Sequence, residues 1–254
     1  MPSSTPSSSL QRDHYNAIHD EYAAHYGDES SLAYRRRFFL DPLLKGLDLG
    51  GLDVADLAAG GGYTTRELLA RFPTARPVGF DISDEACRAY SAATGCPAHR
   101  LDLTGDVRLD RRFDVAIVIG GLHHCAREIE KVLDNVGRLL RPGGLFLIVE
   151  PNRDCWLEPL RRYWYRRDRY FEASTEAALS HDALLRAASG LFEGVSVTYG
   201  GGPAYFLIYN SLVLRVPTGL KPAIEGPLMY LEQWFNALPG RMAFPFFVAR
   251  WRRR

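Results

Sequence analysis

"LDVADLAAGGGYTT", Leu52 to Thr65, is the stretch that decides how this 254-residue chain reads. An apolar run meets an acid at Asp56, passes through two alanines into three glycines, and turns helix-forming at Thr64. A buried parallel strand is a near-continuous apolar run. Glycine lets a turn's backbone approach a ligand with no side chain in the way, and the next helix aims its free N–H groups back over that turn. The order is strand, tight turn, helix, with a nucleotide-type ligand expected across Gly60, Gly61 and Gly62. A plain glycine loop between two core elements is the competing reading.

Working outward, "RPVGFDIS" (Arg76 to Ser83) predicts a second strand ending in Asp81, which stands 21 residues after Gly60. Doubly wound domains place an acid at about this distance on the ribose hydroxyls of their ligand, and one carboxylate can accept from both vicinal hydroxyls. "AHRLDLTGD" (Ala98 to Asp106) supplies a third short strand and then Asp102. "FDVAIVIGGLHHC" (Phe113 to Cys125) is a fourth, with Gly120 to His124 at its carboxyl end, where open parallel sheets hold their ligands. A helix over Ala126 to Leu140 stops at "RPGG" (Arg141 to Gly144), and "LFLIVEPN" follows as the fifth strand.

The dinucleotide fingerprint G-x-G-x-x-G is not completed, because Thr65 stands where its last glycine belongs. The sequence D-x-A-x-G-x-G from Asp56 to Gly62 resembles instead the first motif of class I S-adenosylmethionine (SAM) dependent methyltransferases, with Ala58 in place of the usual first glycine. From Leu52 to Asn152 five segments resemble that family in order, and "LHH" resembles its small-molecule form rather than the N-P-P-Y form of base-modifying enzymes. The resemblance implies SAM as cofactor, a small-molecule acceptor and no nucleic-acid partner. It also implies an α/β fold: a doubly wound, mostly parallel, seven-stranded Rossmann-like sheet whose last strand is antiparallel, with an N-terminal helical lid and an insertion before that strand. Asp56, Ala58, Gly60, Gly62, Asp81, Ile82 and Gly120 are then expected against the cofactor. The resemblance further implies that Asp102 accepts from the adenine amino group and that the Leu103 N–H donates to the ring.

Residues 13–50 are expected as the helical lid, 51–152 as the SAM-binding core and 153–254 as substrate-side elements and final strands, all one domain after a disordered serine- and proline-rich tail at 1–12. Tyr15, Ile18, Tyr22 and Tyr26 share a helix face. That stripe is either packing or a cover, in which Tyr22 meets the cofactor and Tyr15 and Tyr26 the substrate. A second helix is predicted over Ser31 to Gly46. Cys155 to Ser174 interleaves aromatic residues with arginines, read as a solvated basic helix face or as a site where Arg162 and Tyr165 grip an aromatic or anionic substrate. A strand from Gly194 to Gly200, apolar helices near Ala204 to Val216 and Pro222 to Leu238, and a closing strand "AFPFFVARWRR" complete the chain.

Methyl transfer from a sulfonium is an in-line displacement whose main requirement is alignment. If a proton must be taken, His124 is the first candidate, His123 the second and Glu150 the third, Glu150 also being expected at the substrate. The net charge of +1 disfavours a polyanion binder. The four cysteines form no C-x-x-C pair, which points away from a zinc site or disulfide framework and toward a reducing cytoplasm. No oxygen cage for a metal is evident, and no apolar run is long enough to span a membrane. Two other classes stay open: a protein that binds SAM without transferring its methyl, and a nicotinamide oxidoreductase. The second is disfavoured because none of Lys45, Lys131 and Lys221 has a tyrosine four positions before it.

Overall fold

The apolar run at Val54 becomes an interior strand of a seven-stranded sheet. The computed structural model describes residues 25–165 and 177–254; the expected tail, Tyr15 and Tyr22 lie outside the described residues. The strands are β1 (Asp53–Leu57), β2 (Arg76–Asp81), β3 (Ala98–Arg100), β4 (Phe113–Ile119), β5 (Leu140–Pro151), β6 (Phe192–Gly200) and β7 (Phe246–Arg253). Their order is β3-β2-β1-β4-β5-β7-β6. β1 to β5 pair in parallel, and β7 runs antiparallel to β5 and β6. Strand order reverses between β1 and β4, the point where such sheets open a crevice.

β1 is buried along its whole length because both faces are covered. On one face Leu57, Phe80, Phe113, Phe146 and Trp251 pack with Val132 and Val136 of α5 (Ile129–Leu139). On the other, Val115, Leu147 and Val248 meet Leu68 of α3 (Tyr63–Arg71) and the N-terminal helical segment. That segment begins with α1 (Glu29–Tyr34), capped by Asp28, which accepts from the Ser31 N–H at 3.1 Å. It continues through a π-helical stretch (Arg35–Leu40) into α2 (Asp41–Leu44). Phe38, Phe39, Leu40 and Leu43 are buried, so this described part of the expected lid is also a core element. The remaining helices are α4 (Asp84–Thr94), α6 (Glu158–Tyr165), α7 (His181–Ala187) and α8 (Lys221–Asn236).

The stretch between β6 and β7 is tied to α1 by buried polar groups. Lys221 directs all three donors of its ammonium inward, to the His25 carbonyl (2.8 Å), Asp28 Oδ2 (2.5 Å) and Ser31 Oγ (2.8 Å). Glu232 accepts from Tyr34 Oη at 2.5 Å and from the N–H groups of Gly202 and Ala204, both at 2.9 Å. The helix predicted near Ala204 to Val216 is only a π-helical turn, Tyr205–Tyr209. Ser31 Oγ donates to the Ile208 carbonyl at 3.2 Å, and the Asn210 side chain turns to Tyr26. These tertiary bonds compete with the helical ladder. Among the described residues no helix is long and apolar enough to cross a membrane.

Candidate active site

Past Leu57 the chain leaves the sheet on three positive φ angles: Ala58 at 51°, Gly60 at 50° and Gly62 at 80°. The glycines do different jobs. A Cβ on Gly60 would meet nothing within 4 Å, so this part of the loop fronts open space. A Cβ on Gly62 would lie 2.6 Å from Thr94 Cγ2 and 3.1 Å from the Tyr90 ring, so this glycine lets α3 and α4 approach. Ala58 bears the strain that a first glycine would avoid, since the left-handed region costs an L-residue about 1–2 kcal/mol. Its Cβ is accommodated by Gly121, where a methyl would come within 2.6 Å of it. Ala58→Gly is expected to raise stability by about 0.5–1 kcal/mol, the relieved strain less the extra unfolded-state entropy of glycine. A fall in the denaturation midpoint would contradict this.

Asp81, at the end of β2, closes the loop from the side. Its Oδ2 accepts from the Gly60 N–H at 2.9 Å and its Oδ1 from the Ser83 N–H at 3.0 Å. Each oxygen keeps acceptor capacity for one further donor. Burial raises its pKa from the usual carboxylate value, while the N–H groups of Ser83, Gly60 and Ile82 and the nearby His124 work against the rise. Beyond β3, Asp102 Oδ1 accepts from the N–H and hydroxyl of Thr104 at 2.9 and 2.6 Å. Asp102 Oδ2 is buried with no hydrogen-bond partner among the described residues. An acceptor left so costs about 1–3 kcal/mol, and a ligand N–H donor there would remove that cost. The adjoining loop is fixed from beneath by Asn135 of α5, whose Nδ2 donates to the carbonyls of Leu103 (2.8 Å) and Gly105 (2.9 Å).

Asp56 is turned inward. Its carboxyl is 2 % exposed and accepts from Thr65 Oγ1 at 2.8 Å, and that hydroxyl also meets Tyr90 Oη at 2.7 Å. It therefore underpins the loop and does not present an oxygen on the open side, as its expected contact with the cofactor required. Burial pushes its pKa up to about 7, with the Thr65 hydrogen bond and the Arg35 charge pulling the other way. A folded-state pKa above the ordinary 3.8 means that folding favours the protonated form. The contribution to stability is complete below pH 4 and is lost as pH rises through about 7. Asp56→Asn removes this titration, so its stability relative to the native chain is expected to climb between about pH 4 and pH 8, by at most about 4 kcal/mol. Parallel denaturation curves at those two pH values would contradict it.

The far side of the crevice is built by Glu150, at the end of β5. Glu150 is 1 % exposed. Its Oε1 accepts from the N–H groups of Gly121 (2.8 Å) and Leu122 (2.6 Å), and its Oε2 from the His123 N–H (3.3 Å) and ring Nδ1 (2.8 Å). Expected as a substrate contact or base, it is instead the brace of the loop after β4, its acceptor sites taken up by that loop. Gly120 opens that loop at φ 70° and donates its N–H to the Val149 carbonyl at 2.8 Å. Because a carboxylate only accepts, His123 carries a proton on Nδ1, and in the neutral ring Nε2 is then the acceptor. The His124 ring lies 3.8 Å from that of His123, tilted by 40°.

The other expected substrate residues are not brought together here. Tyr26 is buried, its hydroxyl donating to Asn210 Oδ1 at 2.6 Å and its ring edge-on to Tyr209 at 5.3 Å. It belongs to an aromatic layer, as the packing alternative held. Arg162 is exposed on α6, and the Tyr165 side chain falls outside the described residues. Sequence reading passed over Asn135 and Arg35, the latter donating to Thr64 Oγ1 at 3.0 Å. Neither lies in a motif, and both act across long sequence separations.

Residues 55–146 match the sequence family described as a methyltransferase domain. Over these residues the chain is similar to a methyltransferase domain. The fold of the chain is that of solved class I structures. The N-methyltransferase NodS from Bradyrhizobium japonicum, in complex with S-adenosylhomocysteine, superposes with a TM-score of 0.58 at 14 % identity, over 94 % of this chain and 98 % of that one. A SAM-dependent methyltransferase from Thermotoga maritima, described as a possible histamine N-methyltransferase, gives 0.62 at 13 % identity over 96 % and 99 %. The [4+2]-cyclase SpnF gives 0.65 at 14 % identity over 99 % and 98 %. No curated protein matches the sequence. The matched residues run from β1 into the first part of β5 and carry all of the loop residues described above except Glu150.

Proposed function

We propose that this protein binds SAM across Gly60–Gly62 and transfers its methyl group to a small-molecule acceptor. The observation that carries the reading is the pair of acceptors on consecutive strand ends, Asp81 after β2 and the unpartnered Oδ2 of Asp102 after β3. Asp102 with the Leu103 N–H suits adenine, and Asp81 beside Ile82 suits the ribose hydroxyls. Gly60 admits the amino-acid portion, Gly62, expected against the cofactor, serves instead to let α3 and α4 approach, and Gly120 lies toward the reacting end. When bound, SAM supplies a methyl group on a positively charged sulfur. The chain's own part is to align the acceptor and keep water out, worth about 7–11 kcal/mol of barrier. His123, set by Glu150, and His124 beside it are the groups that would take a proton from the acceptor.

NodS is an N-methyltransferase and the Thermotoga protein a possible histamine N-methyltransferase, which supports a small-molecule acceptor, and the apolar character of the segment between β6 and β7 suits a hydrophobic natural product. The cysteines, all free, suit a cytoplasmic enzyme. A second reading has one specific support: the likeness to SpnF, a [4+2]-cyclase on the same fold. Isothermal titration with SAM, with NADH as the control, tests the cofactor. Incubation with SAM and candidate metabolites, followed by mass spectrometry, then tests transfer. Binding of SAM with no methyl gain on any converted metabolite would favour the cyclase-like reading, and absence of SAM binding would sink both.

A further inference from the structure

SAM carries a single anionic group, the carboxylate of its methionine portion, and none of the residues assigned above supplies a cation for it. Among the three arginines that open the π-helical stretch, two have other engagements. Arg36 pairs with Glu29 at 2.5 Å and with Glu67 at 3.2 Å. Arg37 is exposed, with its guanidinium 5.6 Å from the centre of the Phe38 ring. Arg35 points the other way, toward the first turn of α3. Its Nη2 donates to the hydroxyl of Thr64, a buried residue in the first turn of α3, and among the described residues Arg35 forms no ion pair.

Three further observations bear on that position. The N-cap of α3 is Gly62, which has no side chain to satisfy the first-turn N–H groups, so an anion there meets both backbone donors and the positive end of the helix. Arg35 also lies close enough to Tyr209 and to Asp56 to hold down the rise in pKa that burial imposes on both. It therefore stands over the turn that follows β1. A ligand laid across the strand ends from Asp102 at β3 and Asp81 at β2 brings its third portion to that turn. The guanidinium offers five donors in a planar fork, of which Thr64 uses one, and the fork matches a carboxylate.

We infer that Arg35 is the anchor for the carboxylate of the cofactor's methionine portion, held in aim by the Thr64 hydroxyl. This inference rests on the SAM reading above. Because Arg35 belongs to the N-terminal helical segment and lies beside Tyr209 of the β6–β7 segment, an occupied site would also draw both of those segments toward the loop after β1.

The test is isothermal titration of the full-length native protein, Arg35→Gln and Arg35→Lys with three ligands: SAM, S-adenosylhomocysteine and decarboxylated SAM. Loss of a charge-assisted pair should weaken SAM and S-adenosylhomocysteine by about 10- to 100-fold in Arg35→Gln, with Arg35→Lys in between. Decarboxylated SAM should bind the native protein and both variants alike, which also shows that the variants are folded. Equal weakening of all three ligands in Arg35→Gln, or of none, overturns the role of Arg35 while leaving SAM binding intact. Failure of the native protein to bind any of the three overturns the SAM reading itself.

Discussion

Replacing Asp81 by alanine is expected to lower the affinity for SAM by about 100-fold or more, read by isothermal titration. A hydrogen bond to a charged acceptor contributes about 1.5–3 kcal/mol, two ribose hydroxyls would use two, and each 1.4 kcal/mol is tenfold in affinity. The carboxylate also accepts from Gly60 and Ser83, so its removal leaves two backbone donors without their partner. Part of the loss would thus reach the ligand through a loosened loop. Analogues of S-adenosylhomocysteine lacking one ribose hydroxyl separate the two routes. Against the native protein they should bind about tenfold or more weakly, and against Asp81→Ala the missing hydroxyl should cost little. Unchanged affinity in Asp81→Ala would mean that the ribose is held elsewhere.

What could be read from the sequence was what neighbouring residues encode. β1, β2, β4 and β5 are covered on both faces, so they appear as continuous apolar runs, and the acid and glycines at their carboxyl ends follow within a few positions. Asp81 was legible for the same reason, since its distance from Gly60 is fixed by one strand–turn–helix–strand unit. The direction a side chain takes after the strand ends was not. Asp56 and Glu150 both look like acids aimed at a ligand. Yet the first is drawn under the loop by Thr65 and Tyr90, and the second is drawn into the backbone of Gly121 to His123. Contacts such as Lys221 with Asp28 and Glu232 with Tyr34 join segments some 190 residues apart, and no local pattern announces them. Long-range bonds of the same kind bear on the helix expected after Ala204, which shortens to a turn: Ser31 of α1 takes the Ile208 carbonyl and Tyr26 the Asn210 side chain.

Glu150 carries the other large expected effect. Glu150→Ala would leave the N–H groups of Gly121, Leu122 and His123 and the ring Nδ1 of His123 without their acceptor, three of them at 2.8 Å or less in the native protein. Removing one side of a buried, charged hydrogen-bond network costs about 3–5 kcal/mol, to be read as a lowered midpoint in chemical denaturation. Glu150→Gln isolates the chemistry from the fold. One amide oxygen can still serve Gly121 and Leu122, while the amide NH2 now faces His123 and can only donate. The imidazole must then accept at Nδ1 and carry its proton on Nε2, the reverse of the native tautomer. Ring nitrogen shifts of His123 in an NMR spectrum would report that exchange directly. If His123 takes the acceptor's proton, turnover of Glu150→Gln should fall by about 100- to 10,000-fold, with SAM affinity within about twofold of native. A reversed tautomer with undiminished turnover would remove His123 from proton transfer and leave Glu150 as a brace alone.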